Sequence, residues 1–269
     1  MNQHAASLVL CDVIDRVAVL TLNQPARRNV LSRAMLASLK EQFARIASDS
    51  MIRAVVIRAA GPAFSAGHDL RELVGATEAE HRELFALCTE VMEAVRKLPQ
   101  PVIAQVQGMA TAAGCQLVAT CDLVVASDSA AFATPGVKIG LFCSTPAVAV
   151  SRAVPTKKAM EMLLTGEPIT AWAAAEIGLV NRVVPPDRLE AETMNLARQI
   201  IAASADVLGI GKRTFYEQLP LDRPAAYELT ERVMVENAQT PNAREGMAAF
   251  LEKRPPQWNA GSSRGTKPE

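Results

Sequence analysis

The chain has 269 residues, 49% of them apolar and 21% charged, which suits a globular protein of one large domain or a domain with a small appendage. Lysine plus arginine and aspartate plus glutamate are equal at 28 each, so no overall field favours nucleic acid or an anionic membrane, and any anionic ligand needs a local cluster of cations. Aromatics at 4% leave little for base-stacking platforms, and five scattered cysteines without a C-x-x-C pair, beside three histidines without ligand spacing, give neither a disulfide framework nor a metal site.

Met1–Arg16 carries no basic stretch leading into a long apolar run. No signal peptide, transit peptide or membrane span is expected from it, and a cytosolic location is. Ser7–Val13 and Arg16–Asn23 alternate like two strands joined by a tight turn. Ser32 caps a helix with Met35, Leu39, Phe43 and Ile46 on one face. Ala54–Ala59 reads as a buried strand, closed by Gly61-Pro62, with a loop of small residues at Phe64–Asp69. Thr77 and Glu80 form a capping box for a helix with the stripe Leu84, Cys88, Val91, Val95 and Leu98. Val102–Val106 and Asp122–Ser127 are further buried strands, separated by Gly108–Cys121, a loop running into a tightly packed helix.

Beyond Pro135 the patterns turn helical: Thr156–Leu164 ends at Gly166, and Ala171–Ile177 at Gly178. Leu179–Val184 is one more strand. From Asp187 only helices follow, the last opened by Asn242 with Glu245 at capping-box spacing. The division expected is an α/β core over 1–200, a helical region over 201–258 and a frayed tail over 259–269.

Five segments, in this order and spacing, resemble the crotonase (enoyl-CoA hydratase/isomerase) family. They are Asn23–Leu31 (NQPARRNVL), Phe64–Leu70 (FSAGHDL), Pro101–Gly108 (PVIAQVQG), Ala113–Leu123 (AGCQLVATCDL), and Leu163–Thr170 (LLTGEPIT) leading into Gly178–Val183. The resemblance implies an α/β, ClpP/crotonase-like fold with a repeated β-β-α core. It also implies an acyl-CoA thioester as partner, no cofactor besides the coenzyme A that is part of the substrate, and a homotrimer or dimer of trimers.

A thioester reacts through an oxyanion, so such a site needs preorganised donors where charge develops. Small residues in Phe64–Asp69 let a backbone N–H approach a carbonyl, and Ala112-Ala113-Gly114 puts a second at a helix N-terminus, where the dipole favours negative charge. By resemblance the two donors are the N–H groups of His68 and Ala113. Arg27 and Arg28 are the local cation cluster suited to phosphates. The same two loops, through Ala26, Val30, Ala66, Gly67, Asp69 and Leu70, with Gly114 beside them, are expected to hold the nucleotide, pantetheine and thioester. Met234, Phe250 and Lys253 match positions that the family contributes from a neighbouring subunit.

The departures matter as much. Family hydratases place one glutamate after the cysteine of the Gly-Cys segment, where this chain has Gln116. They place the second after the proline of a Phe-x-x-Pro segment, where Phe132-Ala-Thr-Pro135 is followed by Gly136. A glutamine orients a water but does not exchange protons, and a glycine does neither. His68 is a titratable side chain on the oxyanion loop, and Cys143, Ser144 and Thr145 can line an acyl pocket. Three readings remain open: an enolate-stabilising enzyme of the hydratase/isomerase type, a catalytically weak acyl-CoA binder, and an isomerase or hydrolase using a base such as His68. A nucleotide hydrolase is excluded, since Gly209-Ile-Gly-Lys212 lacks the rest of a P-loop; a serine hydrolase is not indicated, since no G-x-S-x-G elbow occurs and nothing in the sequence brings Ser65 or Ser144 to His68.

Overall fold

The structure, a computed structural model, describes residues 7–258. The expected frayed tail at 259–269 lies outside the described residues. Strands β1 (Val9–Ile14) and β2 (Val17–Leu22) form an antiparallel hairpin whose turn residues, Asp15 and Arg16, both have positive φ, as the tight turns of right-twisted hairpins require. Helix α1 (Arg33–Ser48) follows, its Ser32 side chain accepting from the Met35 N–H. Then come β3 (Ala54–Ala59), β4 (Ala63–Ser65) and α2 (Glu78–Lys97), whose Thr77–Glu80 capping box is present with both bonds. The unit repeats as β5 (Val102–Val106), β6 (Met109–Thr111) and α3 (Ala113–Thr120), and again as β7 (Leu123–Ser127), β8 (Ala131–Ala133) and α4 (Ser144–Ala153). The chain continues through α5 (Thr156–Thr165), β9 (Ile169–Thr170), α6 (Ala171–Glu176), β10 (Arg182–Val184) and α7 (Leu189–Ile201), and closes with α8 (Ala205–Gln218), α9 (Arg223–Ala238) and α10 (Pro241–Leu251).

Two sheets result. The larger has the order β1-β2-β3-β5-β7-β10 and is parallel apart from the first hairpin; the smaller has the order β4-β6-β8-β9. Each β-β-α repeat therefore gives one strand to each sheet before its helix crosses back. The strands of the larger sheet read as continuous apolar runs because both faces are covered. One face meets the main core around Leu20, Val55, Ile57, Phe43 and Leu84; the other meets Leu189, Met194 and Ala197 of α7.

Three sequence expectations shift. Of the strand expected at Leu179–Val184 only Arg182–Val184 is extended in a ladder, with Leu179 and Val180 turned back onto α6 by bonds to the Ala174 carbonyl. The last helix is capped by Thr240, which accepts from the Ala243 N–H, rather than by Asn242. Glu245, expected to close a capping box, instead forms a two-pronged ion pair with Arg254 at 2.6 and 3.0 Å. The smaller sheet, absent from the sequence reading, is the third difference.

Candidate functional site

The first loop and the small-residue loop are knitted together backbone to backbone. Arg28 and Asn29 both have positive φ, turning the chain back after the 3-10 turn Pro25–Arg27 that holds Ala26 at the surface. Ala66 N–H donates to the Arg28 carbonyl at 3.0 Å and Leu31 N–H to the Gly67 carbonyl at 2.8 Å, with the half-buried Val30 between these two ties. Arg27 pairs with Asp69, whose carboxylate also caps the 3-10 turn at Leu70–Glu72. Arg28 makes no ion pair among the described residues and is exposed, so it is the freer of the two cations. Leu70 is exposed at the edge of the same loop.

The N-terminus of α3 meets this pair of loops. Ala112 has φ 50° and ψ −119°, the conformation of the first central residue of a type II′ turn, where glycine is the usual occupant. This aims the first N–H groups of α3 away from the preceding strand. Gly67, at φ 82°, fits against the same turn: a Cβ there would stand 2.9 Å from the Ala112 Cβ and 3.2 Å from the Ala113 nitrogen. Gly114 lies equally close to β4, where a Cβ would fall 2.5 Å from the Ser65 carbonyl oxygen. The two loops expected to carry the donors are thus in direct contact. Neither the His68 N–H nor the Ala113 N–H has a hydrogen-bond acceptor among the described residues. Unpaired backbone donors next to a buried core are uncommon, and such donors are available to an incoming oxygen.

The His68 imidazole is engaged elsewhere. Its Nδ1 lies 3.1 Å from the Leu31 carbonyl, so it carries the proton there, and the ring meets Phe85 of α2 edge-on at 5.5 Å. Nε2 is buried without a partner. Burial lowers the ring's pKa from its ordinary value, outweighing the Leu31 bond and the nearby Glu72 carboxylate, both of which raise it. The ring is neutral at neutral pH.

Gln116 is buried at 5% exposure on α3, and its Oε1 has no partner. Gly136 is buried in the 3-10 turn Pro135–Ile139. Its backbone is not in the left-handed region, so the obstacle to a side chain is space and not backbone angle. A Cβ would stand 2.6 Å from the Leu141 carbonyl oxygen and 2.8 Å from the Cys143 Sγ. That sulfur accepts the Gly136 N–H at 3.3 Å. The space that a side chain at residue 136 would need is therefore taken by the Leu141–Cys143 segment. Burial raises the Cys143 pKa, only partly offset by that bond, so Cys143 stays a thiol. Ser144 bonds back to the Phe142 carbonyl at 3.4 Å, and Thr145 lies with Gln116 on a groove of about 2180 Å³ bounded by α2, α3, α4 and α8. His68, Ala113 and the arginine loop do not line that groove.

Met234, Phe250 and Lys253 are all exposed, on α9 and at the end of α10. Helix α9 buries none of its residues and packs chiefly on α8 and α10, so within one chain these three residues are not brought to the two loops. Two residues that tie the loops together, Asn29 and Ser65, were not singled out from sequence, although both lie inside the segments quoted above. Among the described residues no group of three or more His, Cys, Asp or Glu side chains is placed to hold a metal ion.

The family described as enoyl-CoA hydratase/isomerase matches residues 13–261 of this chain. The mouse protein named enoyl-CoA hydratase domain-containing protein 3, mitochondrial, is 51% identical over 246 residues, covering 91% of this chain and 82% of its own length. A crystal structure of an enoyl-CoA hydratase from Mycobacterium smegmatis superposes with a TM-score of 0.91 at 50% identity, covering 93% of this chain and 98% of that one. The crystal structure of human enoyl coenzyme A hydratase domain-containing protein 3 gives 0.90 at 50% identity, covering 93% and 100%. The expectation of a cytosolic location does not stand, because the mouse, rat and human relatives that share about half their residues with this chain are all named as mitochondrial proteins.

Proposed function

The chain belongs to the enoyl-CoA hydratase/isomerase, or crotonase, family, and on that footing we propose that it binds an acyl-CoA thioester and polarises its carbonyl between the backbone N–H groups of His68 and Ala113. The observation that carries this reading is the pair of neighbouring N–H groups without an acceptor among the described residues, one on a glycine-permitted loop and one at the N-terminus of α3. Both donors are fixed before a ligand arrives. They favour the enolate-like or tetrahedral oxyanion more than the neutral carbonyl, because charge grows on that oxygen; removing one such donor typically costs ~10²–10³ in rate.

Arg28, with Arg27 held beside it by Asp69, supplies the cations for the phosphates of coenzyme A. Ala26, Val30, Ala66 and Leu70 flank the path of the pantetheine. Coenzyme A enters as part of the substrate, and the reading invokes no separate cofactor. Assembly as a homotrimer or dimer of trimers brings Met234, Phe250 and Lys253 of a second copy over the ligand; α9, which buries none of its residues within one chain, supports that reading.

Proton transfer is where this site departs from a hydratase. Water addition to an enoyl thioester takes a base for the water and an acid for the α-carbon. Gln116 offers an amide that orients a water, and the Leu141–Cys143 segment fills the space of the second group. The chain is accordingly an acyl-CoA binder with an intact oxyanion hole and slow hydration. Each missing acid–base group costs ~10²–10⁴ in rate. Calorimetric titration of the native protein with crotonyl-CoA, alongside a hydration assay, tests this. Saturable binding with turnover far below that of a two-glutamate hydratase is expected; turnover equal to such an enzyme would overturn it.

A further inference from the structure

The contacts between the arginine loop and the oxyanion loop include one buried hydroxyl, and one buried carboxamide braces the arginine loop beside it. Asn29 has no exposed surface, and its carboxamide is fully used: Nδ2 donates to the Ala60 carbonyl at 2.8 Å and to the Ala63 carbonyl at 2.9 Å, while Oδ1 accepts the Gln24 N–H at 2.8 Å. Its own carbonyl accepts from the Ser65 hydroxyl at 2.8 Å, and that hydroxyl accepts the Gly67 N–H at 3.2 Å. Bonds Ala66 N–H to Arg28 O, Leu31 N–H to Gly67 O and His68 Nδ1–H to Leu31 O complete the seam. These ties join residues 28–31, which carry Arg28, to residues 65–68, which carry the His68 N–H.

Resting on the acyl-CoA reading, we infer that Asn29 and Ser65 are positioning residues that join the two loops into one body, so that a nucleotide held at Arg28 steadies the His68 donor before the thioester is seated. The buried Asn29 carboxamide and Ser65 hydroxyl have their hydrogen bonds made, and such satisfied buried groups rigidify the segments they join. Fixing one edge of it lowers the freedom of the other, which is a coupling between two subsites of one ligand. At residue 29 the backbone carbonyl makes the tie to Ser65, while the carboxamide braces that carbonyl's loop against Gln24, Ala60 and Ala63. Glycine keeps the carbonyl and accepts the φ of 51°, so Asn29→Gly removes the brace alone.

Amide hydrogen exchange on the native full-length protein, with free coenzyme A as the probe, reads this directly. Coenzyme A lacks an acyl group and has nothing to place against the His68 N–H. The inference expects exchange at Ala66 and Gly67 to slow by about tenfold together with Arg27–Asn29. Protection confined to Arg27–Asn29 would overturn it. Coenzyme A that does not bind at all would instead overturn the acyl-CoA reading, and this inference with it. A second measurement separates positioning from plain stability. In Ser65→Ala and Asn29→Gly the 13C shift of the carbonyl of bound [1-13C]crotonyl-CoA should move back toward its value in water, and the affinity gained by adding the acyl group should fall by about tenfold. Affinity for free coenzyme A should change less than that. Variants that lose both affinities equally, or that keep the full carbonyl shift, would contradict the positioning role.

Discussion

Ala112 sits in a glycine-like conformation while carrying a Cβ, and that cost is borne at the turn that aims the Ala113 N–H. Ala112→Gly should therefore stabilise the fold by about 1 kcal/mol, within the usual cost of such strain, less glycine's added chain entropy. A denaturation midpoint that falls would show the strain is not there. Gly136 gives the opposite prediction: Gly136→Ala meets the Leu141 carbonyl and the Cys143 sulfur, and should cost about 1–3 kcal/mol. Returning the second glutamate at this position alone therefore fails, whereas Gln116→Glu faces no such clash and is the single change expected to raise slow hydration. His68 provides a pH signature. Its folded pKa lies below its unfolded value, so the unfolded chain takes up the proton first as pH falls. The stability contributed by the neutral ring is complete above about pH 6.5 and is lost as pH drops from there toward the folded value. His68→Gln should flatten that part of the stability–pH curve; an unchanged slope would show that the ring does not titrate as burial dictates.

Elements with their own punctuation were legible. Ser32 and the Thr77–Glu80 box fixed the starts of α1 and α2, and β3 and β5 were read at their full extents because buried parallel strands are short unbroken apolar runs. The smaller sheet was not legible, since β4, β6 and β8 have three residues each and β9 two, too few for a period of two to register. At α10 the stretch Thr240–Glu245 holds two competing starts. Pro241 decides between them, because proline lacks the N–H that an interior position needs and fits the first helical position. The site was half legible: small residues announced loops where backbone donors can face a ligand, but nothing in sequence showed Cys143 folding back over Gly136. Nor did it show Lys212, which ends the incomplete P-loop pattern, as the anchor of α8. Its ammonium is buried against Asp122 at 2.7 Å and donates to the Val95 and Gln100 carbonyls at 2.9 and 3.1 Å. Lys212→Ala leaves Asp122 and two carbonyls without their cation and should cost about 3–5 kcal/mol in chemical denaturation. A loss under 1 kcal/mol would mean that α8 is held by other contacts.

At the scale of the molecule, the core closes on itself but the C-terminal helices do not. Tyr227, Met234 and Val235 of α9 and Phe250 and Leu251 of α10 are more than half exposed, an apolar display that a lone soluble chain rarely keeps. The proposed assembly covers it, so removal of residues 242–269 should lower the oligomeric order seen by light scattering and weaken coenzyme A binding together. A truncated monomer that binds as tightly as the full chain would separate the two. The central claim, two preorganised N–H groups waiting for a thioester oxygen, meets its most direct test in one pair of calorimetric titrations. Butyryl-CoA and its S-butyl thioether analogue differ at the reacting centre only by the carbonyl oxygen. The native protein should bind the thioester more tightly by about tenfold, the return on hydrogen bonds that otherwise go unmade. Equal affinity for the two would contradict the oxyanion hole and the account built on it.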